Sequence, residues 1–265
     1  MRNIKLLTAY DGTDFCGWQV QPDAPSVQGT LAQAIGRITG EKLLPQGSGR
    51  TDAGVHALAQ VASFRSESVI PLPNLVIALN DVLPASIRVL QASEVAADFH
   101  PRTSAKSKTY RYRIYREAIC PPFLAHYVWH YPYPLQLDRI EDAAQRIEGE
   151  HDFTSFAAVD PEKTTNGPEA ERGARKQPCP TRTERSNVRM IFSSVWRREG
   201  AELVYEVRGN GFLHHMVRNL VGTFLLVGKG TIRPEDVTAI LTARNRSTAG
   251  PTAPACGLYL VNVEY

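Results

Sequence analysis

The chain has 265 residues, which suffices for one large domain or two small ones that bury a core without disulfide support. Its net charge of +3 points to nucleic acid only weakly, and its four widely spaced cysteines form no C-x-x-C pair, which excludes a zinc knuckle and a thioredoxin-like motif. The first residues lack a signal-peptide core and no apolar run approaches the ~20 residues that span a bilayer, so we expect a cytoplasmic protein with reduced thiols and no membrane association.

Strand and helix patterns follow one another in the first hundred residues. Apolar side chains recur at helical spacing after Ser26, a residue type that caps helices, and again after Pro71. The predicted strands cover 4–10, 57–65 and 87–90, and the predicted helices follow Ser26 and cover 71–83.

The remaining residues also carry strands and helices. Tyrosine or isoleucine alternates with arginine over 109–115, which is strand periodicity with one charged face. The predicted strands are 109–115, 188–196, 203–207 and 258–265, and the predicted helices are 138–147, 212–227 and one opened by Pro234. The segment 159–187 holds four prolines, many charges and few large apolar residues, which predicts a long exposed loop.

This order of elements predicts an α+β protein with largely antiparallel sheets. Strands precede helices in both halves of the chain, and a seam falls near 97–106. We therefore expect an N-terminal half over 1–100 and a C-terminal half over 101–265.

One stretch concentrates chemically versatile residues. Residues 49–56 read Gly-Arg-Thr-Asp-Ala-Gly-Val-His, so Asp52 lies between two glycines that let the backbone turn sharply or approach a ligand. Arg50 can hold a phosphate or occupy the space of a displaced base. A lone acid in a loop most often serves as a cap or turn residue, so the spacing leaves a structural role for Asp52 open as well.

A second stretch mixes basic and aromatic side chains. Residues 102–116 contain six lysines or arginines and three tyrosines. Such interleaving suits a polyanion with stackable bases, but it equally fits an amphipathic strand with a solvated charged face.

Several motifs together resemble those of the tRNA pseudouridine synthases of the TruA family. The most specific is Gly-Arg-Thr-Asp-Ala-Gly-Val-His-Ala over 49–57. The others, in chain order, are Tyr-Asp-Gly-Thr at 10–13 with Gly-Trp-Gln at 17–19, Asp-Phe-His-Pro-Arg at 98–102 with Ala-Lys-Ser-Lys-Thr-Tyr-Arg-Tyr at 105–112, Gly-Glu-His-Asp-Phe-Thr-Ser-Phe at 149–156, Phe-Leu-His-His-Met-Val-Arg-Asn at 212–219 and Ala-Pro-Ala-Cys-Gly-Leu-Tyr-Leu at 253–260. They keep the family's order from one end of the chain to the other.

The resemblance implies a fold and an activity. It implies two ferredoxin-like halves whose sheets join, with the active cleft between them. It also implies isomerisation of uridine to pseudouridine at positions 38 to 40 of the tRNA anticodon stem-loop, by a homodimer whose subunits are bridged by tRNA. The reaction gains or loses no electrons and releases no group, so we expect no cofactor, no nucleotide and no metal.

The resemblance also assigns roles to three residues. Asp52 is the expected catalytic carboxylate, and Arg218 is its expected cationic partner, with Arg208 as a rival at the end of a strand. Tyr110 is expected to stack on the target uracil and to shuttle a proton, although an isolated strand tyrosine more often belongs to a core or its rim. The expected substrate-binding set is Arg50, Thr51, His56, Arg102, Lys106, Lys108 and Tyr110.

Individual members of this set carry distinct expectations. The target base must be flipped out of the stem-loop, and Arg50 is expected to fill the vacated stack. His56 is expected either to orient the loop or to serve as a satisfied structural histidine.

Two other functions remain open at this point. A glycosidic-bond hydrolase would pair Asp52 with a second carboxylate, such as Asp11 or Asp14. An RNA-binding module would carry out no chemistry at all.

The remaining motifs favour neither metal nor nucleotide binding. His126 with His130, and His214 with His215, are paired histidines, but no acidic partner stands at ligand spacing. Residues 222–229 lack the glycine spacing of a phosphate-binding loop, and Gly230 follows Lys229 where serine or threonine is required.

Overall fold

A computed structural model describes residues 1–158 and 186–265 of the protein. In this part of the chain the strands are β1 Arg2–Tyr10, β2 Gln46–Gly47, β3 His56–Ser66, β4 Ile87–Val95, β5 Ser107–Tyr115, β6 Trp129–His130, β7 Gly149–Asp152, β8 Val188–Glu199, β9 Glu202–Gly209 and β10 Leu258–Glu264. The α-helices are α1 Val27–Thr39, α2 Leu72–Val82, α3 Leu137–Gln145, α4 Met216–Gly228 and α5 Asp236–Ala243. The predicted loop over 159–187 falls almost entirely outside the described residues.

The described strands form one sheet in the order β4-β1-β3-β10-β5-β9-β8-β7, with β2 beside β3 and β6 beside β5. Two units within it share one topology. The elements β1, α1, β2, β3, α2 and β4 give the strand order β4-β1-β3-β2, and β5, α3, β8, β9, α4 and β10 give the order β10-β5-β9-β8. Both are the fourth-first-third-second arrangement of a ferredoxin-like unit. The predicted α+β class with a mostly antiparallel sheet is confirmed.

The two units join where β3 lies beside β10. Tyr259 pairs with His56 and Leu260 pairs with Ala57, and this pairing is parallel. Because both strands run in the same direction, the segments that precede them reach the same edge of the sheet. This places residues 49–55 and 253–257 next to each other.

Helix α4 is buried on almost every side and fixes the late part of the chain. An added Cβ at Gly222 would lie 1.7 Å from the carbonyl oxygen of Pro251, so only glycine allows this close approach. Phe224 of the same helix packs edge-on against Tyr205 of β9, with ring centroids 5.4 Å apart. The helix is thus held between the sheet and the segment that leads into β10.

Most predicted elements are present, and the differences have local causes. The hairpin between β8 and β9 is confirmed, with Gly200 at its turn at φ 59°. Helix α4 begins at Met216 rather than at Phe212, because His215 takes a left-handed conformation with φ 58°. The strands β2, β6 and β7 have only two to four residues each, too short to show a period.

Within the described residues, no helix combines the length and apolar character that crossing a bilayer requires.

Candidate active site

A cavity of about 410 Å³ opens where the two units join. Its walls come from the loop before β3, from β5, from the start of β8 and from the turn that leads into α4. The lining residues are 49–52, Val55, Arg102, Lys108, Tyr110, Arg189, 210–217 and Leu258. The volume lies within the usual range for small-molecule pockets and therefore admits a nucleoside.

Backbone hydrogen bonds give the loop over 49–55 its shape. Gly54 has φ 74°, a left-handed conformation that turns the chain back, and the amide of Val55 donates to the carbonyl oxygen of Asp52 at 3.2 Å. The amide of Trp18 donates to Thr51 at 3.0 Å, and that of Gly54 donates to Phe15 at 3.3 Å. The Gly-Trp-Gln loop of the first unit therefore supports the loop that carries Asp52.

A buried polar network lies beneath this loop. The hydroxyls of Tyr10 and Thr51 are 2.8 Å apart, and the side chain of Gln60 donates to the carbonyl oxygen of Gly49 at 3.0 Å. Ser48 donates to Gln60 at 2.6 Å. Buried polar groups with partners rigidify a site, so Thr51 positions the loop even though it also lines the cavity.

Arg218 is the cation next to Asp52. Its Nη1 lies 2.8 Å from the carboxylate Oδ2, and the two side chains are only 15% and 18% exposed. Its Nε donates to the carbonyl oxygen of Ala253 at 2.8 Å, and the amide of Ala253 donates back to the Arg218 carbonyl at 3.1 Å. The rival Arg208 instead bonds Glu264 at 2.5 Å. The counter-charge of Asp52 is therefore held in place by the segment before β10.

Two histidines that the sequence analysis did not connect with Asp52 also face its carboxylate. Nε2 of His214 lies 3.5 Å from Oδ1, and Nε2 of His215 lies 3.4 Å from Oδ2. No acid stands at ligand spacing near these histidines in sequence, because their acidic neighbour comes from the other unit.

Tyr110 of β5 presents its ring to the cavity. The ring is 8% exposed and meets Phe212 edge-on, with centroids 4.9 Å apart. Burial raises the pKa of its hydroxyl well above the usual value, and the nearby phenol of Tyr10 and the charge of Asp52 add to the shift. The hydroxyl is therefore neutral and can both donate and accept a hydrogen bond.

Basic side chains form another part of the wall. Arg102 and Lys108 were expected there, and Arg189 at the start of β8 joins them. Lys108 donates to the carbonyl oxygen of Ser48 at 2.6 Å. Burial, together with the charges of Arg102 and Arg189, lowers the pKa of Lys108 to about 8. Three cations without a carboxylate among them favour an anionic ligand.

The remaining members of the expected substrate-binding set divide into two groups. Arg50 lines the cavity, whereas His56 and Lys106 do not. His56 is 2% exposed, accepts from the amide of Gly12 at Nδ1 and contacts the carbonyl oxygen of His126 at Nε2. Burial lowers its pKa, so the ring is neutral and holds the neighbouring loops together.

Among the described residues, this cavity does not offer the second carboxylate that a glycosidase requires. Asp52 is the sole acidic residue that lines it within residues 1–158 and 186–265. Asp11 instead accepts hydrogen bonds from Thr13 and Tyr127, and Asp14 is exposed. The described site therefore offers one carboxylate, one buried arginine and a basic wall.

The fold and the site are those of an enzyme rather than of a bare scaffold, because one cavity holds, within the described chain, a single carboxylate, a buried arginine and a basic wall that suits an anionic substrate. A family model described as tRNA pseudouridine synthase matches residues 6–104 and 143–265. A relative from Solibacter usitatus, named tRNA pseudouridine synthase A, is 50% identical over 265 residues, covering 100% of both chains. Relatives of the same name from Moorella thermoacetica and Caldicellulosiruptor saccharolyticus are 44% and 43% identical and cover 99% and 100% of both chains. The chain belongs to the tRNA pseudouridine synthase family.

Proposed function

We propose that this chain isomerises uridine to pseudouridine at positions 38 to 40 of the tRNA anticodon stem-loop. One observation carries the proposal most directly. Asp52, the sole acid lining the cavity in the described part of the chain, lies 2.8 Å from Arg218 in a cavity that Tyr110 also lines. Family membership supports the tRNA substrate, and the resemblance of the motifs supports the positions.

The isomerisation requires little beyond a well-placed carboxylate. The N1–C1′ bond breaks, the uracil turns, and a C5–C1′ bond forms, while C5 loses a proton and N1 gains one. Asp52 attacks C6 of the ring or C1′ of the sugar, or it assists deprotonation at C2′. Each of these roles needs an ionised carboxylate, and Arg218 supplies the charge that makes an anion tolerable in a largely buried position.

Tyr110 and its neighbours hold the base. A uracil in the cavity stacks on the Tyr110 ring, and such stacking contributes roughly 1–3 kcal/mol per base. Its neutral hydroxyl is suited to passing a proton on from C5, since it can accept one bond while it donates another. Phe212 packs against this ring in a T-shaped arrangement and helps to hold it in place.

The basic wall binds the RNA backbone. Arg102, Lys108 and Arg189 contact phosphates next to the flipped nucleotide, and affinity therefore falls steeply with salt. Arg50, at the rim of the same cavity, takes the place of the extruded base in the stack. In this arrangement the protein recognises mainly the shape and the backbone of the RNA.

We further propose that the enzyme is a cytoplasmic homodimer in which one tRNA contacts both subunits. We also propose that residues 1–100 supply the catalytic loop and residues 101–265 supply Tyr110 and Arg218. The homodimer rests on the resemblance of the motifs, and the location rests on the cysteines, whose spacing suits reduced thiols. The division of labour rests on the two ferredoxin-like units of the sheet.

The test uses unmodified tRNA transcripts and maps the modified positions. We expect pseudouridine at 38 to 40 with the wild-type chain and less than about a thousandth of that rate with Asp52→Asn, which should still bind tRNA. Asp14→Asn is the matched control, since this acid is exposed and does not line the cavity. Release of free uracil would identify a hydrolase instead, and tRNA binding by the wild-type chain without any pseudouridine would identify a binding module.

A further inference from the structure

We propose that Asp52, His214 and His215 form a binding site for a divalent transition-metal ion such as Zn²⁺, and that the bound ion inhibits the enzyme. The three side chains each offer one ligand atom, and these atoms lie within 4.8 Å of one another. The inhibition rests on the proposed function, whereas the metal binding does not.

The two histidine–carboxylate distances match those between ligands of one ion. Nε2 of His214 lies 3.5 Å from Asp52 Oδ1, and Nε2 of His215 lies 3.4 Å from Oδ2. In tetrahedral coordination with bonds of about 2.0–2.1 Å, two ligand atoms are separated by about 3.4 Å. Both separations are too long for good hydrogen bonds but have the right length to hold an ion between them.

The backbone explains how two adjacent histidines can face one carboxylate. Consecutive residues on a helix point about 100° apart, so neighbouring histidines there would diverge. His215 instead takes φ 58° and ψ 3° just before α4. This turn brings the two imidazole rings to a centroid distance of 3.9 Å. A left-handed conformation is uncommon for histidine and marks this position as one held by its surroundings.

The donor set selects the kind of ion. Two imidazole nitrogens and one carboxylate oxygen suit Zn²⁺, Co²⁺ or Ni²⁺ far better than Mg²⁺ or Ca²⁺, which prefer oxygen ligands. All three residues line the cavity and are partly exposed, so an ion can reach them from solvent. Three protein ligands leave a fourth position for water.

Two features limit the affinity. Nδ1 of His214 is buried without a hydrogen-bond partner among the described residues, whereas metal-binding histidines usually donate from this second nitrogen. Arg218 also competes, since its Nη1 lies 2.8 Å from Oδ2. We therefore expect binding in the micromolar range rather than the tight binding of a structural zinc site.

The same geometry makes the ion an inhibitor. Each proposed role of Asp52 needs a free carboxylate oxygen that can reach the sugar or the base. An ion between Asp52 and the two histidines occupies both the carboxylate and part of the cavity. The enzyme should therefore lose activity in proportion to metal occupancy.

The binding test uses the full chain without a histidine tag and without tRNA. Zn²⁺ binding is measured by calorimetry, and Co²⁺ binding by its visible absorption, which reports tetrahedral coordination. His214→Gln, His215→Asn and Asp52→Asn should each weaken binding at least tenfold, where asparagine at 215 is chosen because it tolerates a left-handed conformation. His126→Gln, which changes an exposed histidine outside the cavity, is the control.

A further variant should raise the affinity for Zn²⁺ instead of lowering it. Arg218→Gln removes the competing cation, so Zn²⁺ should bind more tightly even as the isomerase rate falls. Circular dichroism checks that each variant is folded. Equal Zn²⁺ affinity in wild type and in all three ligand variants, or no binding by the wild type at 100 μM, roughly ten times the expected range, would overturn the site.

The activity test separates this inference from the proposed function. Wild-type enzyme is assayed on tRNA at buffered free Zn²⁺, and activity should fall as the metal site fills and return when a chelator is added. Pseudouridine formation that persists at saturating Zn²⁺ would refute inhibition while the proposed function stands. Ligand-dependent Zn²⁺ binding by a chain that forms no pseudouridine in metal-free buffer would refute the function and leave the site in place.

Discussion

Arg218 bonds Asp52 at 2.8 Å although 166 positions separate the two residues in the chain. The carboxylate comes from the loop before β3 in the first unit, and the guanidinium comes from α4 in the second. The pairing of β3 with β10 at the middle of the sheet brings these two parts of the chain together. The site therefore depends on the join of the two units.

This pair should show strong energetic coupling. Both side chains are less than a fifth exposed, and removal of one leaves the other without its main partner. We expect Arg218→Met to lower the free energy of unfolding by about 1–3 kcal/mol. In a double-mutant cycle with Asp52→Asn, urea unfolding should give a coupling energy of about 1–3 kcal/mol.

Arg218→Lys tests the geometry within the same cycle. Lysine keeps the charge but offers a single nitrogen, whereas arginine bonds Ala253 through Nε and Asp52 through Nη1. We expect its turnover to fall at least tenfold with little loss of tRNA binding. If the effects of Arg218→Met and Asp52→Asn on the free energy of unfolding add within about 0.3 kcal/mol, the pair contributes nothing to stability.

Tyr110→Phe separates stacking from proton transfer. The phenylalanine ring can still stack on uracil and meet Phe212, but the hydroxyl is lost. We expect the single-turnover rate to fall by at least tenfold while the tRNA dissociation constant changes less than threefold. Tyr115→Phe, at the far end of the same strand and outside the cavity, serves as the control. An unchanged rate for Tyr110→Phe would remove the hydroxyl from the mechanism.

Lys108 should make tRNA binding depend on pH. Its pKa of about 8 means that the free protein carries the charge below pH 8 and loses it above. A phosphate binds the charged form, so affinity should be constant below pH 7.5 and should fall up to about tenfold per pH unit above pH 8.

Two variants check this pH dependence by filter binding or fluorescence anisotropy. Lys108→Arg keeps its charge and should flatten the profile, whereas Lys108→Met should weaken binding most below pH 8, where the wild type carries the charge, and should lower the salt slope there by about one. Lys106→Met is the control, because Lys106 does not line the cavity. A wild-type affinity that stays constant from pH 7 to 9.5 would exclude a phosphate contact by Lys108.

The sequence predicts the parts of this site that lie within one motif. Asp52, Arg50 and Thr51 stand in one loop, and Tyr110 and Lys108 stand on one strand, so local pattern and family resemblance locate them together. The sequence does not predict that His214, His215 and Arg189 lie around the same cavity as Asp52, because these residues meet it only across the join of the two units. Contacts of this kind depend on strand order and register, which periodicity does not encode.

His56 shows the reverse case. It stands in the most specific motif, four residues after Asp52, yet β3 begins at this residue and turns its ring away from the cavity. The ring stacks on Tyr259 of β10 with centroids 4.8 Å apart, directly at the pairing that joins the units. His56 and Asp52 are therefore close in sequence, but only Asp52 lines the cavity.

Gly222→Ala tests whether helix packing positions Arg218. The added Cβ would lie 1.7 Å from the carbonyl oxygen of Pro251, so α4 must move away from the segment that also holds Arg218 through Ala253. Alanine favours a helix by about 1 kcal/mol over glycine, yet we expect this variant to lose about 1–3 kcal/mol of stability from overpacking. Turnover should fall more than tRNA binding, because the basic wall of Arg102, Lys108 and Arg189 lies outside α4.

Gly36→Ala in α1 is the matched control, since its added Cβ would come no closer than 3.3 Å to another residue. It should change stability by less than about 1 kcal/mol and leave turnover unchanged, because α1 lies in the first unit, away from the lining of the cavity. Thermal unfolding and single-turnover assays of both variants give the comparison. A Gly222→Ala enzyme with normal turnover would show that the Arg218–Asp52 contact survives a shift of α4, and the packing against Pro251 would then serve stability alone.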